Sequence, residues 1–182
     1  MRKTVLYVGL LGIFFSIVSC GNDDERLKKD IIGSFRYSNT NEATNFRISI
    51  DGIETFNGDG SVVDESMLSI IFSNEQLGET SLTYRMKYTG KYEIEDSYIL
   101  YDYSGVDDAG NIELLSAEGA KGNEEFVNEL SDQLESTLIR DIRERLTEEN
   151  AADIYELDGE KLVILNPEGQ KVVKVRIVKG EE

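Results

Sequence analysis

The side chains that could do chemistry here are few in kind. The chain contains no histidine and a single cysteine, Cys20. Imidazole acid–base catalysis, a His-based triad and a His-ligated metal are therefore excluded. One thiol can make neither an internal disulfide nor a thiolate zinc site. What remains is carboxylate chemistry: 36 Asp and Glu stand against 19 Lys and Arg, a formal net charge of −17. Paired carboxylates can run glycoside hydrolysis, but no pair stands out among so many acids. No catalytic residue is assigned, and the chain is expected not to be an enzyme. The acidic balance also speaks against nucleic acid, whose phosphates need clustered cations.

Metal binding has two candidates in the sequence. Asn57, Asp59 and Ser61 alternate as ligands do in a calcium loop. An EF-hand loop needs Glu at its twelfth position, where Leu68 stands, so a hairpin tip is the better reading. Asp107-Asp108 before Gly110-Asn111 reads as a polar loop. Neither metal nor cofactor is expected. The tyrosines are more suggestive, because six of the nine lie between residues 84 and 103. Tyr84, Met86, Tyr88, Tyr92, Tyr101 and Tyr103 are the candidate lining of an amphipathic ligand cavity. The competing reading has them filling a closed core with their hydroxyls at its rim.

Cys20 closes the most specific segment. Arg2 and Lys3 precede a fourteen-residue apolar run, Val5 to Val18, broken only by Gly9, Gly12 and Ser16. A spanning helix needs about 20 apolar residues, so this run fits a secretory signal peptide over residues 1–19. It ends in Ile17-Val18-Ser19-Cys20, which resembles the lipobox of bacterial lipoproteins. The resemblance implies cleavage before Cys20 and acylation of that residue with diacylglycerol and a palmitate-type chain. More than one chain makes membrane release negligible. Cleavage removes Arg2 and Lys3 and no acid, leaving 17 basic residues against the unchanged 36 acidic, a net −19. The cluster Asp23-Asp24-Glu25 resembles the surface-export signal of Bacteroidetes lipoproteins. The implied location is the outer membrane, lipid-anchored and cell-surface exposed, or otherwise on its periplasmic face. Residues 20–29 are expected to be an acidic tether that holds a single domain, 30–182, off the bilayer.

The elements that must position these residues are mostly strands. Candidates are Ile31–Tyr37, Phe46–Ile50, Ile53–Phe56, Ser61–Phe72, Leu82–Glu95 and Tyr98–Tyr103, with a turn at Asn57-Gly58-Asp59-Gly60. From Leu82 to Glu95 the alternation is unbroken: Leu82, Tyr84, Met86, Tyr88, Gly90, Tyr92 and Ile94 share one face. A turn at Thr89-Gly90 would mix the two faces. The pattern therefore predicts one strand of about 46 Å with Gly90 as an inner-face bend. A two-residue turn at Asp96-Ser97 then pairs Ile94 with Ile99, Tyr92 with Tyr101 and Gly90 with Tyr103, and sets Lys91 against Asp102. Tyr103 would cover the bare glycine.

Residues 123–147 switch to helical spacing. Phe126, Leu130, Leu134, Leu138, Ile142 and Leu146 recur every four, beside Val127 and Ile139. Asn123 is a fair N-cap, with Glu124 and Glu125 in the first turn and Arg143 and Arg145 near the end. The C-terminus returns to strand. Asp158-Gly159 predicts a hairpin pairing Glu156 with Lys161, Tyr155 with Leu162 and Ile154 with Val163. Asn166-Pro167-Glu168-Gly169 is a second turn, after which Val173, Val175 and Ile177 alternate with Lys174 and Arg176.

The expected fold is mainly β with one long helix: an antiparallel barrel or strongly curved sheet of eight or nine strands. Three motifs resemble lipocalin-like lipoproteins of Bacteroidetes. They are Ile32-Gly33-Ser34-Phe35 as a Gly-x-Trp-like opening, the Phe56-Asn57-Gly58-Asp59-Gly60-Ser61-Val62 hairpin, and the Tyr88-Thr89-Gly90-Lys91-Tyr92-Glu93-Ile94 strand followed by Tyr98-Ile99-Leu100. The resemblance implies a tethered barrel, and the tyrosine cluster suggests that it binds a small amphipathic or apolar ligand. The alternative is a non-catalytic structural or interaction lipoprotein with a filled core, meeting a protein partner through its acidic surface or its helix.

Overall fold

The structure is a computed structural model that describes residues 20–74, 78–103, 112–119, 125, 127–134, 136–137, 150–166 and 169–178. The signal segment 1–19, the Asp107-Asp108 loop, Phe126 and the helical pattern beyond residue 137 lie outside the described residues.

Nine strands follow a first helix, α1 (Cys20–Asp30): β1 (Gly33–Ala43), β2 (Phe46–Phe56), β3 (Ser61–Asn74), β4 (Gly78–Glu95), β5 (Tyr98–Asp102), β6 (Ile112–Glu118), β7 (Asn150–Leu157), β8 (Lys161–Leu165) and β9 (Lys171–Arg176). All pair antiparallel, in the order β3-β2-β1-β9-β8-β7-β5-β4, and β4 returns to β3. The result is a closed eight-stranded barrel, consistent with a lipocalin-like one. β6 is a ninth strand laid along β4. One edge of β4 pairs with β3 along the strand, while the other divides between β6 at residues 81–86 and β5 at 91–95.

The long alternation of β4 becomes one strand of 18 residues. Its even positions from Thr80 to Tyr88, with Tyr92 and Ile94, are buried, and its odd positions from Arg85 onward are exposed. The turn at Asp96 and Ser97 has φ of 51° and 66°, as a two-residue hairpin turn requires. The register behind it matches the expected one: Ile94 with Ile99, Tyr92 with Tyr101, Lys91 with Asp102. A Cβ on Gly90 would stand 2.6 Å from both the Asp102 carbonyl oxygen and the Tyr103 ring, so the glycine is needed there.

Other expectations need correction. The segments Phe46–Ile50 and Ile53–Phe56 are one strand running through Asp51-Gly52. Gly52 marks not a break but the place where the Tyr37 ring occupies the space a Cβ would need. β1 begins two residues later than expected and runs on to Ala43. The Asp158-Gly159 hairpin pairs Leu157 with Leu162 and Glu156 with Val163, then shifts so that Ile154 meets Ile164. The Asp158 carboxylate accepts hydrogen bonds from the Glu160 and Lys161 amides, both at 2.8 Å. That widens the turn beyond two residues and leaves Tyr155 as an exposed extra residue. The segment expected as a tether is helical from Cys20 to Asp30. Its Leu27, with the following Ile31, packs into the core beside Phe35, Phe56 and Leu162.

Two apolar clusters fill the barrel. The first, at the end closed by α1, joins Ile31, Phe35, Phe56, Val62, Tyr92, Ile94, Ile99 and Leu162. The second gathers Leu68, Ile70, Leu82, Tyr84, Met86 and Tyr88 under Val127. Val127 belongs to α2, whose described residues 125, 127–134 and 136–137 are helical. Leu130 and Leu134 of the same helix add to the cover, which is the amphipathic stripe used as expected.

Candidate functional site

Between the two clusters lies a polar layer that the strand register builds. Glu54 of β2 pairs with Asp64 of β3, and Asp64 pairs with Tyr88 of β4. All three side chains point into the barrel. Tyr37 enters from β1, Tyr101 and Tyr103 from β5 and its end, and Lys174 from β9. Glu54 is 3% exposed and Lys174 6%, and their Oε2 and Nζ atoms are 2.5 Å apart. Two buried charges are tolerable only when paired and hydrogen-bonded. The second carboxylate is satisfied differently. The Tyr37 hydroxyl donates to both Asp64 oxygens, at 2.8 and 2.9 Å. The Tyr101 hydroxyl reaches Glu54 Oε2 at 3.5 Å, and its ring stacks on Tyr103 with centroids 5.9 Å apart.

The electrostatics follow from two carboxylates sharing one ammonium group. Burial pushes the Asp64 carboxyl up to about 6, and the Glu54 charge adds to the rise, while the Tyr37 hydroxyl bond and Lys174 oppose it. Burial also raises the hydroxyls of Tyr37, Tyr101 and Tyr103, with the neighbouring carboxylates adding to the effect. All three stay protonated, and Tyr37 and Tyr101 act as donors. This is a network that holds strands together. No side chain in it is placed as an activated nucleophile.

The candidate cavity residues do face inward, but they are divided. Tyr92 belongs to the closed-end cluster, where its hydroxyl donates to the Asn57 carbonyl oxygen at 3.0 Å. Tyr84, Met86 and Tyr88 belong to the second cluster, with the Tyr84 hydroxyl 3.3 Å from the Ser131 carbonyl oxygen of α2. Tyr101 and Tyr103 flank the polar layer. The partners that the sequence reading missed are Tyr37, Glu54, Asp64 and Lys174. The parity of β2 held a signal: Glu54 shares its face with Ile48, Ile50 and Phe56.

The acidic cluster after Cys20 is divided as well. Asp23 and Glu25 are exposed and pair with Arg26 and Lys28, at 3.8 and 3.9 Å. Asp24 accepts from the Asp96 and Ser97 amides at 3.2 and 3.3 Å, and so ties α1 to the β4–β5 turn. The calcium candidates close on themselves. Asp59 accepts from the Ser61 amide at 2.9 Å and hydroxyl at 2.7 Å, while Asn57 donates to the same hydroxyl. Among the described residues, no group of three or more acidic or cysteine side chains is arranged to hold a metal ion. No protein-family model and no curated protein matches this chain.

Proposed function

We propose that this chain is an outer-membrane lipoprotein, anchored through Cys20 and displayed at the cell surface, whose barrel is a non-catalytic interaction module. The observation that carries the second half of this reading is the side-chain bridge across the lumen. Tyr101 reaches from β5 to Glu54 on β2, and Lys174 reaches the same carboxylate from β9. A lumen crossed at mid-height by a buried ion pair leaves the outer surface as the working face. The anchor half rests on the lipobox-like Ile17-Val18-Ser19-Cys20 and the apolar run before it.

The test of the anchor is Cys20→Ser. It should abolish acyl labelling and leave the signal segment uncleaved. Unchanged membrane partitioning and mobility would overturn the reading. The export role is best tested at Asp23 and Glu25, because replacing Asp24 would also release α1. Protease shaving of intact cells should then lose the signal seen with the parent chain.

One observation favours a ligand-binding barrel as the second reading. Phe46, Ile48, Ile50 and Phe72, like Leu130 and Leu134 of α2, are only partly buried where they pack against the second cluster. An amphipathic molecule could enter beneath that helix. A panel of apolar fluorescent probes, titrated into the chain from Gly21 onward, separates the two. Saturable binding that Leu130→Asp abolishes favours the ligand; absence of binding favours the interaction module.

A further inference from the structure

We infer that the α1-covered end of the barrel docks on the bilayer, with α1 lying flat beneath it and the rim formed by Ile32, Val175, Ile177 and Val178 meeting lipid. This rests on the reading of Cys20 as the acylated residue.

The first observation is the lack of slack between anchor and domain. α1 begins at Cys20 itself. One turn later Asp24 is bonded to the β4–β5 turn, and Leu27 is buried. Four residues of helix span roughly 6 Å, so acyl chains on Cys20 would hold this end of the barrel at the headgroups. The other end of α1 is fixed too. The Arg176 guanidinium donates to the Ile32 carbonyl oxygen at 2.8 Å and to that of Asp30, while lying over the Phe35 ring.

The second observation is what surrounds that far end. β1 starts here and β9 finishes here, so Ile32, Val175, Ile177 and Val178 all crowd one rim. They are exposed, Val175 by 55% and Val178 by 63%. Ile177 is held to the barrel by its amide, which donates to the Ser34 carbonyl oxygen at 2.8 Å. Ile32 leans on the β2–β3 turn, 3.6 Å from where a Cβ on Gly58 would be. Lys28 and Lys29 end α1, and Arg36 and Arg176 line the cleft that holds Val175 to Val178. Glu93 lines the same hollow as Lys28 and Ile32, and the Arg176 amide donates to the Glu160 carbonyl oxygen, so the rim carries both signs of charge. Exposed apolar side chains with Lys28, Lys29 and Arg36 nearby suit an interface of acyl chains and lipid headgroups.

The test uses the full lipidated chain in phosphatidylethanolamine–phosphatidylglycerol vesicles. Cys20 is the only cysteine, so an introduced cysteine is the sole free thiol once Cys20 is acylated. A fluorescent donor goes on Val178→Cys or, at the opposite end of β1, on Ala43→Cys. Both positions are exposed, so neither change disturbs the core. Eleven residues of strand span about 36 Å, and barrel tilt reduces the height to about 27 Å. Energy transfer to a headgroup-labelled acceptor should be several-fold greater from residue 178 than from residue 43. Equal transfer from both positions overturns docking and leaves a swinging domain. A residue 178 label that is shielded from iodide without transfer to lipid also overturns it, in favour of a protein cover. If the unsubstituted chain takes up thiol label, Cys20 is free; the anchor reading then fails first, and the docking inference falls with it.

Discussion

Replacing Asp64 with Asn should reverse sign with pH. In the folded chain Asp64 keeps its proton up to about pH 6, against an ordinary carboxyl value of 3.8. Between those values the unfolded chain binds fewer protons than the folded one, so stability falls as pH rises through the window. About two pH units at 1.36 kcal/mol each sets an upper bound of roughly 3 kcal/mol on the loss. The amide of the Asp64→Asn variant cannot ionise and so escapes that loss. It gives up one of the two oxygens that accept the Tyr37 hydroxyl, a cost of about 1 kcal/mol. The variant should therefore be slightly less stable than the parent at pH 4 and more stable at pH 7, by up to about 2 kcal/mol. Urea unfolding at half-unit steps from pH 4 to 8, followed by tyrosine fluorescence, reads the difference directly. Every other carboxylate is common to both proteins and cancels. Two stability curves that stay parallel across the window would refute a raised Asp64 and, with it, the account of the polar layer as two carboxylates sharing one lysine.

Three further outcomes are expected. Gly90→Val should cost several kcal/mol of stability, because its Cβ meets the Asp102 carbonyl oxygen and the Tyr103 ring at 2.6 Å, whereas Thr89→Val, on the exposed face, should stay within about 0.5 kcal/mol; comparable thermal melts would sink the register. Lys174→Met should cost about 3–5 kcal/mol by leaving Glu54 buried without its cation, and adding Glu54→Gln should restore most of that loss. A double mutant no more stable than the single one would mean that the pair is not coupled. Asp24→Ala should make the bond after Arg26 cleavable by trypsin in the otherwise folded chain, while Asp23→Ala should not; equal protection of both variants would detach Asp24 from the β4–β5 turn.

What could be read from the sequence followed the strength of the local pattern. β4 announced its continuity through Gly90, its inner face and the register of the hairpin after it, though not its first four residues, because period-two alternation over fourteen residues admits only one pairing parity. α2 was visible for the same kind of reason, its stripe having a clean helical spacing. The β7–β8 hairpin misled. Asp-Gly is a strong two-residue turn signal, but the Asp158 carboxylate captures two amides ahead of it and resets the register. The central polar layer was hidden by its own logic. On β9 the alternation of Val173 and Val175 with Lys174 invites the valines inward, yet Lys174 is buried and both valines are exposed. The face is chosen by Glu54, 120 residues earlier, whose own burial demands a cation. No local pattern carries that information. α1 was hidden likewise, since Leu27 and Ile31 look like isolated apolar residues in a charged stretch until the open end of a barrel is placed beside them.

The polar layer also bears on how the barrel closes. β1 and β2 are in register over eleven residue pairs, but β1 and β9 over only two, Phe35 with Arg176 and Arg36 with Val175. A seam so short gains little from its backbone ladder. Side chains take over that task. Arg176 lies over Phe35 and ties β9 to the start of β1, and Lys174 passes the seam to reach Glu54 on β2, with its ammonium 5.4 Å from the centre of the Tyr37 ring. Lys174 thus both helps to close the cylinder and fills its middle. A barrel built this way keeps its shape by occupying the middle of its lumen: removing the Glu54–Lys174 pair would loosen the seam and the polar layer together.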